Sequence, residues 1–187
     1  QMALVAQPIN ARAILPEVLF KHVPVTLVSA TLATDGDFSF IAGRLGFERY
    51  ESFIAPSPFD YERNVLMVVS EHGPFPSAPG DAYEQFLVTG LQRILIRSAG
   101  RTLVLFTSYR QMQAVAGKLA PWCASQGRLL LVQEAGGERE RLLEQFRREP
   151  KSVLFGAESF WEGIDLPGDE LECVVMTKIP FANPSQP

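Results

Sequence analysis

The run Phe155-Gly156-Ala157-Glu158-Ser159-Phe160-Trp161-Glu162-Gly163-Ile164-Asp165-Leu166-Pro167-Gly168 holds the densest set of chemistry-bearing side chains in the sequence. Two carboxylates, Glu162 and Asp165, flank Gly163, and two aromatics adjoin the hydroxyl of Ser159. A carboxylate beside flexible backbone commonly orients a ribose, a metal-bound water or an arginine. The plainer reading is a capped turn with Phe160 and Trp161 packed in the core. Packing accounts for the aromatic pair well and for Gly163 with Asp165 poorly.

Similar polar groups recur elsewhere, each directly after an apolar run. Ser29 and Thr31 follow residues 25–28, Thr107, Ser108 and Tyr109 follow 102–106, and Gln133 follows 129–132. Hydroxyls and free amides at helix starts suit a phosphate-bearing ligand.

Other chemistries find little support. The one Gly-Lys pair, Gly117-Lys118, is followed by Leu119 inside a helical pattern, so a phosphate-binding loop is absent, and Gly136-Gly137 leads into Glu138-Arg139 without the glycines of a dinucleotide fingerprint. There is no Gly-x-Ser-x-Gly elbow, and His22 and His72 lack a persuasive nucleophile and acid. Both histidines are expected to be structural or solvated. Cys123 and Cys173 lie far apart with no partner at metal-ligand spacing, so no metal site is expected.

The elements that position these groups follow from periodicity. A short strand is expected at 2–6, a helix over 12–20 capped by Asn10, a buried strand at 25–28, and a helix over 35–45 closed before Gly46. Residues 48–80 hold Pro56, Pro58, Pro74, Pro76 and Pro79 and read as a connecting or lid-like region with one strand at 65–69. Beyond Gly80 the pattern becomes regular: helix 81–98, strand 102–106, helix 109–119, strand 129–132, helix 138–148, strand 152–155 and strand 171–176. Strands alternating with helices of this length imply βαβ units in a mainly parallel sheet. Ligands of such sheets bind beyond the carboxyl ends of the strands, which is where the polar clusters fall.

Length and composition bound the answer. At 187 residues, 47% hydrophobic and 20% charged, the chain suits one globular domain, with or without an appendage, and does not suit a disordered or fibrous protein. A net charge of −4 argues against a freestanding, tight, nonspecific nucleic-acid binder, though a local polar groove stays open. No apolar run approaches the ~18 residues that span a bilayer. The few cysteines fit a reduced cytosolic setting, so a cytoplasmic protein without membrane contact is expected.

Five segments together resemble the XPD/DinG group of superfamily 2 DNA helicases, in the order found there. They are Val28-Ser29-Ala30-Thr31-Leu32, Ser57-Pro58-Phe59-Asp60, Leu103-Val104-Leu105-Phe106-Thr107-Ser108-Tyr109, Ser159-Phe160-Trp161-Glu162-Gly163-Ile164-Asp165, and Lys178-Ile179-Pro180-Phe181 with Pro184. The fourth, followed by Ile-Pro-Phe, is the specific one; Ser-Ala-Thr alone is weak.

The resemblance implies a RecA-like α/β fold, a mainly parallel sheet with helices on both faces, serving as the second motor domain of an ATP-dependent DNA helicase in repair or replication. Residues 1–35 would complete the first motor domain, and 36–187 would form the second, incomplete at its C-terminus. Its partners would be single-stranded DNA and the first RecA-like domain, with 5′ to 3′ movement. Ser29, Ala30 and Thr31 would couple hydrolysis to unwinding. Thr107, Ser108 and Tyr109 would contact the DNA backbone. Ser159, Phe160 and Trp161 would face DNA, while Glu162, Gly163 and Asp165 would lie toward the nucleotide. ATP and Mg2+ would be bound mainly by the first motor domain. The family's iron–sulfur cluster belongs to an insertion in that same domain, so none is expected here and both cysteines are read as ordinary thiols. The chain alone is expected to be inactive. The alternative from a different class is a catalytically silent RecA-like module that serves interaction or regulation.

Overall fold

The computed structural model describes residues 10–76, 81–134, 136, 137 and 139–181. The chain divides into two compact units, one of Gln1–Met67 with Pro184–Pro187 and one of Val68–Asn183.

The first unit is thinly structured. Asn10 caps as expected, its Oδ1 accepting from the Arg12 amide at 3.0 Å. The expected helix over 12–20 is instead two short pieces, a 3-10 turn at Ala11–Ala13 and a π-type turn at Pro16–Phe20. Pro16 brings no amide to a helical ladder, and its ring crowds the carbonyl four residues back. Helix α1 covers Ser39–Leu45, starting later than expected because Thr34 and Asp37 pair as an antiparallel bridge around a turn in which Asp35 and Gly36 have positive φ. The Asp37 carboxylate accepts from the amide and hydroxyl of Ser39, the first residue of the helix, and these bonds hold it below its usual pKa. Gly46 ends α1 at φ 82, where an added Cβ would lie 2.7 Å from the Arg12 carbonyl. Phe20 and Phe47 stack at 4.1 Å. Helix α2 is the single turn Tyr61–Asn64.

Neither apolar segment expected as a strand here is one. Residues 25–28 and 65–69 are irregular, with Val28 91% and Leu66 88% exposed. A strand needs a neighbour for its amides and carbonyls, and among the described residues up to 76 the Thr34–Asp37 bridge is the only β pairing. The strand expected at 2–6 lies outside the described residues.

The second unit is the βαβ assembly. Helix α3 (Ala82–Arg97) leads into β1 (Thr102–Phe106), α4 (Tyr109–Ser125), β2 (Leu130–Val132), α5 (Arg139–Arg148), β3 (Val153–Ala157) and β4 (Cys173–Met176). All pairings are parallel, in the order β2-β3-β1-β4, with Val104 opposite Phe155 and Val175. The two central strands, β1 and β3, are buried at every position, so both run as continuous apolar segments without alternation.

Alternate residues of β1 serve two cores. Val104 and Phe106 face α3 and α4, joining Leu87, Leu91 and Leu95 of α3 and Met112, Val115 and Leu119 of α4. Leu103 and Leu105 face the other side with Leu143 and Phe146 of α5 and Phe160. Helices thus cover both faces, as the family resemblance implies. Each fully buried Leu or Phe contributes about 1.5–3 kcal/mol over its exposed state.

Several boundaries moved; strand β3, for one, runs to Ala157, two residues past the expected 155. Helix α4 runs six residues past the expected 119 and through Pro121, because Leu119 and Cys123 on either side of that proline are buried in the sheet-facing core. Strand β4 begins at Cys173, two residues late: the amides of Glu172 and Cys173 both turn to the Arg101 carbonyl.

Candidate nucleic-acid interface

The polar groups that follow β1, β2 and β3 converge at the carboxyl edge of the sheet. Ser108 is the N-cap of α4, its Oγ accepting from the Gln111 amide at 3.4 Å, and it is exposed with Thr107. Tyr109, the first residue of α4, is half-buried, with its phenol turned toward β2 and β3. There it meets Gln133, which directly follows β2 and is only 7% exposed.

Gln133 is the bracket of the site. Its Oε1 accepts from the Ala157 amide at 2.7 Å, while its Nε2 donates to Tyr109 Oη at 2.6 Å and to Ser159 Oγ at 3.1 Å. Two predicted DNA-contact segments, on separate loops, are thereby joined through one buried amide. Sequence reading placed Gln133 at a strand end but gave it no role; the signal was a polar residue immediately following Leu130-Leu131-Val132.

The loop after β3 turns sharply. Glu158 has φ 40, a left-handed conformation costing about 1 kcal/mol for a residue with a Cβ. The Trp161 amide closes the turn on the Glu158 carbonyl at 3.0 Å. Ser159 is exposed at its tip. Phe160, expected to face DNA, is instead 2% exposed and packs in the α5-side core. The correction has a steric cause: its ring sits over Gly156, the one residue type that leaves room for it. Trp161 is half-buried, with its indole N–H bonded to the Phe106 carbonyl at 2.9 Å.

Farther along the same loop, Glu162, Gly163 and Asp165 are exposed, and Gly163 has φ 66. Helix α5 holds this stretch by its main chain. Arg139 Nη2 donates to the carbonyls of Glu162 and Gly163 at 2.8 and 2.6 Å, and its guanidinium lies 5.7 Å from the Phe160 ring centre. Arg147 Nη2 donates to the Asp165 carbonyl at 3.1 Å, and Arg147 Nε to Glu170 Oε2 at 3.0 Å. The carboxylates of Glu162 and Asp165 make no ion pair among the described residues. The sequence predicts α5 as a helix and assigns neither arginine a role.

At the far side of the sheet, Thr177 follows β4, donating its hydroxyl to the Leu105 carbonyl at 3.0 Å, and Tyr83 Oη donates to the Thr177 carbonyl. Burial raises the Tyr83 phenol above its ordinary value. It does the same for the thiols of Cys123 and Cys173. Among the described residues no three His, Cys, Asp or Glu side chains gather as a metal site, and no helix is long and apolar enough to cross a membrane.

Ser29, Ala30 and Thr31 lie in the first unit and are exposed. They form a hydroxyl turn, with Ser29 Oγ 3.1 Å from Thr31 Oγ1 and accepting from the Thr31 amide at 3.3 Å.

A parallel sheet flanked by helices, with its polar loops collected at the carboxyl edge, is a RecA-like α/β domain. The Helicase C-terminal domain family matches residues 91–187, and the chain belongs to that family, in its XPD/DinG-type branch. Its relatives include the ATP-dependent DNA helicase YoaA of Escherichia coli, 35% identical over 159 residues, covering 85% of this chain and 24% of that protein. ATP-dependent DNA helicase DinG of Photobacterium profundum is 38% identical over 170 residues, covering 86% and 24%. The 3′-5′ exonuclease DinG of Bacillus subtilis is 31% identical over 191 residues, covering 100% and 20%. The chain therefore spans a quarter or less of the length of these relatives.

Proposed function

We propose that this chain forms the second motor lobe of an ATP-dependent DNA helicase, with single-stranded DNA running over the carboxyl edge of its sheet. The observation that carries the reading is the linkage of Tyr109 and Ser159 through Gln133 on adjacent loops. Hydroxyls and main-chain amides hold phosphates without reading bases, which is what a translocating motor requires. The net charge of −4 does not oppose this, because such contacts are local and neutral.

Thr107, Ser108, Tyr109 and Ser159 are the backbone contacts, with the exposed part of Trp161 available to stack on a base. Glu162, Gly163 and Asp165 face the nucleotide cleft. ATP is gripped mainly by the first motor domain, together with the Mg2+ that accompanies it; no ligand cluster for that ion is present among the described residues. Residues 1–35, with the Ser29-Ala30-Thr31 turn, belong to the first motor domain. The exposure of Val28 supports that assignment, since an apolar strand-like segment is left without a neighbour. DNA repair or replication in the cytoplasm is the proposed setting, and the isolated chain is proposed to be inactive.

Single-stranded DNA titrated into the full-length protein tests the reading. Tyr109→Ala is expected to weaken binding of mixed and homopolymeric strands alike, with parallel salt dependence. Parent-like binding by that variant across salt concentrations would remove the proposed DNA face.

A further inference from the structure

We infer that Gln133 is a positioning residue that fixes the Tyr109 and Ser159 hydroxyls as outward donors toward a phosphodiester; the inference rests on the DNA reading above.

The orientation of the Gln133 amide is determined by its neighbours. The Ala157 main-chain amide can only donate, so the Gln133 atom 2.7 Å from it must be the carbonyl oxygen Oε1. The reversed amide would set two donors head to head. Nε2 therefore faces the hydroxyls, and its two hydrogens meet two oxygens, Tyr109 Oη at 2.6 Å and Ser159 Oγ at 3.1 Å.

Each hydroxyl thus receives a hydrogen bond from inside the protein. Its own hydrogen finds no protein acceptor among the described residues, and Ser159 is exposed while Tyr109 is half-buried. A phosphodiester oxygen accepts and never donates. Two hydroxyls that are acceptors toward the protein are donors toward the strand, arranged before it arrives. Gln133 itself is buried and touches no ligand; it acts through the other two side chains.

The test measures binding of a fluorescent oligothymidylate to the full-length protein. Gln133→Glu keeps the shape and the acceptor for Ala157, but its second oxygen accepts, drawing both hydroxyl hydrogens inward. Affinity is expected to fall about tenfold in that variant and about threefold in Gln133→Met, which leaves the hydroxyls free to rotate. In a Tyr109→Phe/Ser159→Ala background, Gln133→Met is expected to have no further effect. Melting curves report whether each variant folds, and the Met series carries the test if the Glu variant does not. Parent-like binding by a folded Gln133→Glu, or a Met effect undiminished in the double-variant background, overturns the inference while leaving the DNA reading in place. A parent that does not bind, or a Tyr109→Phe/Ser159→Ala variant that binds like the parent, overturns both.

Discussion

The indole N–H of Trp161 donates to the main-chain carbonyl of Phe106 at 2.9 Å, tying the loop after β3 to the last residue of β1. The bond fixes how far the Ser159 turn stands from the start of α4. Trp161→Phe keeps much of the ring and removes the donor. Its unfolding free energy is expected to fall by about 1–2 kcal/mol in urea titrations. An unchanged midpoint would mean that the bond contributes nothing to the loop.

Gly156 and Phe160 form a matched pair. A Cβ at position 156 would lie 2.5 Å from the Phe160 Cβ, a distance that forces movement. Gly156→Ala is expected to destabilise by about 1–3 kcal/mol, as overpacking does. The same change in a Phe160→Gly background, which removes the opposing Cβ together with the ring, is expected to cost much less, so equal costs in both backgrounds would disprove the steric coupling.

Asp165 serves the fold through its carbonyl, which Arg147 holds, and not through its exposed carboxylate. Asp165→Ala is expected to leave stability within about 0.5 kcal/mol of the parent. In the full-length protein it should lower ATP turnover more than single-stranded DNA affinity. A stability loss above about 1 kcal/mol would make its role structural.

Tyr83 confers an alkaline limit. Its phenol is buried against the Thr177 carbonyl, and burial raises its pKa above the ordinary 10.0. Above pH 10 the unfolded chain gives up this proton while the folded chain keeps it, so stability falls as pH rises from there toward the raised folded value. Below pH 10 the contribution is whole. Tyr83→Phe should therefore be less stable than the parent at pH 8, with a gap that narrows above pH 10. Parallel stability curves for the two proteins would exclude the effect.

The regular half of the sequence was the legible half. Strand β1 was read to the residue because five consecutive apolar or β-branched positions are buried on both faces. The strands expected at 25–28 and 65–69 failed for the opposite reason: apolar pattern marks a segment that seeks a partner and does not supply one. Tyr109 and Ser159 stand out in the sequence by their place after strands, and the structure brings them together on Gln133. Phe160 was misplaced because an aromatic beside a serine looks the same whether it packs inward over a glycine or faces a base. Gln133 stands out in the sequence only as a polar residue after a strand, and Arg139 and Arg147 only as helix residues, since their work is done through bonds to main-chain atoms and hydroxyls distant in sequence, which no local spacing records.

The most direct test of the motor-lobe assignment is ATP hydrolysis by the full-length protein as single-stranded DNA is added, for the parent and for Tyr109→Phe/Ser159→Ala. The expected result is stimulation by strands of any sequence, with the variant needing about tenfold or more DNA for half-stimulation. Hydrolysis indifferent to DNA, or half-stimulation at the same concentration in both proteins, would contradict it.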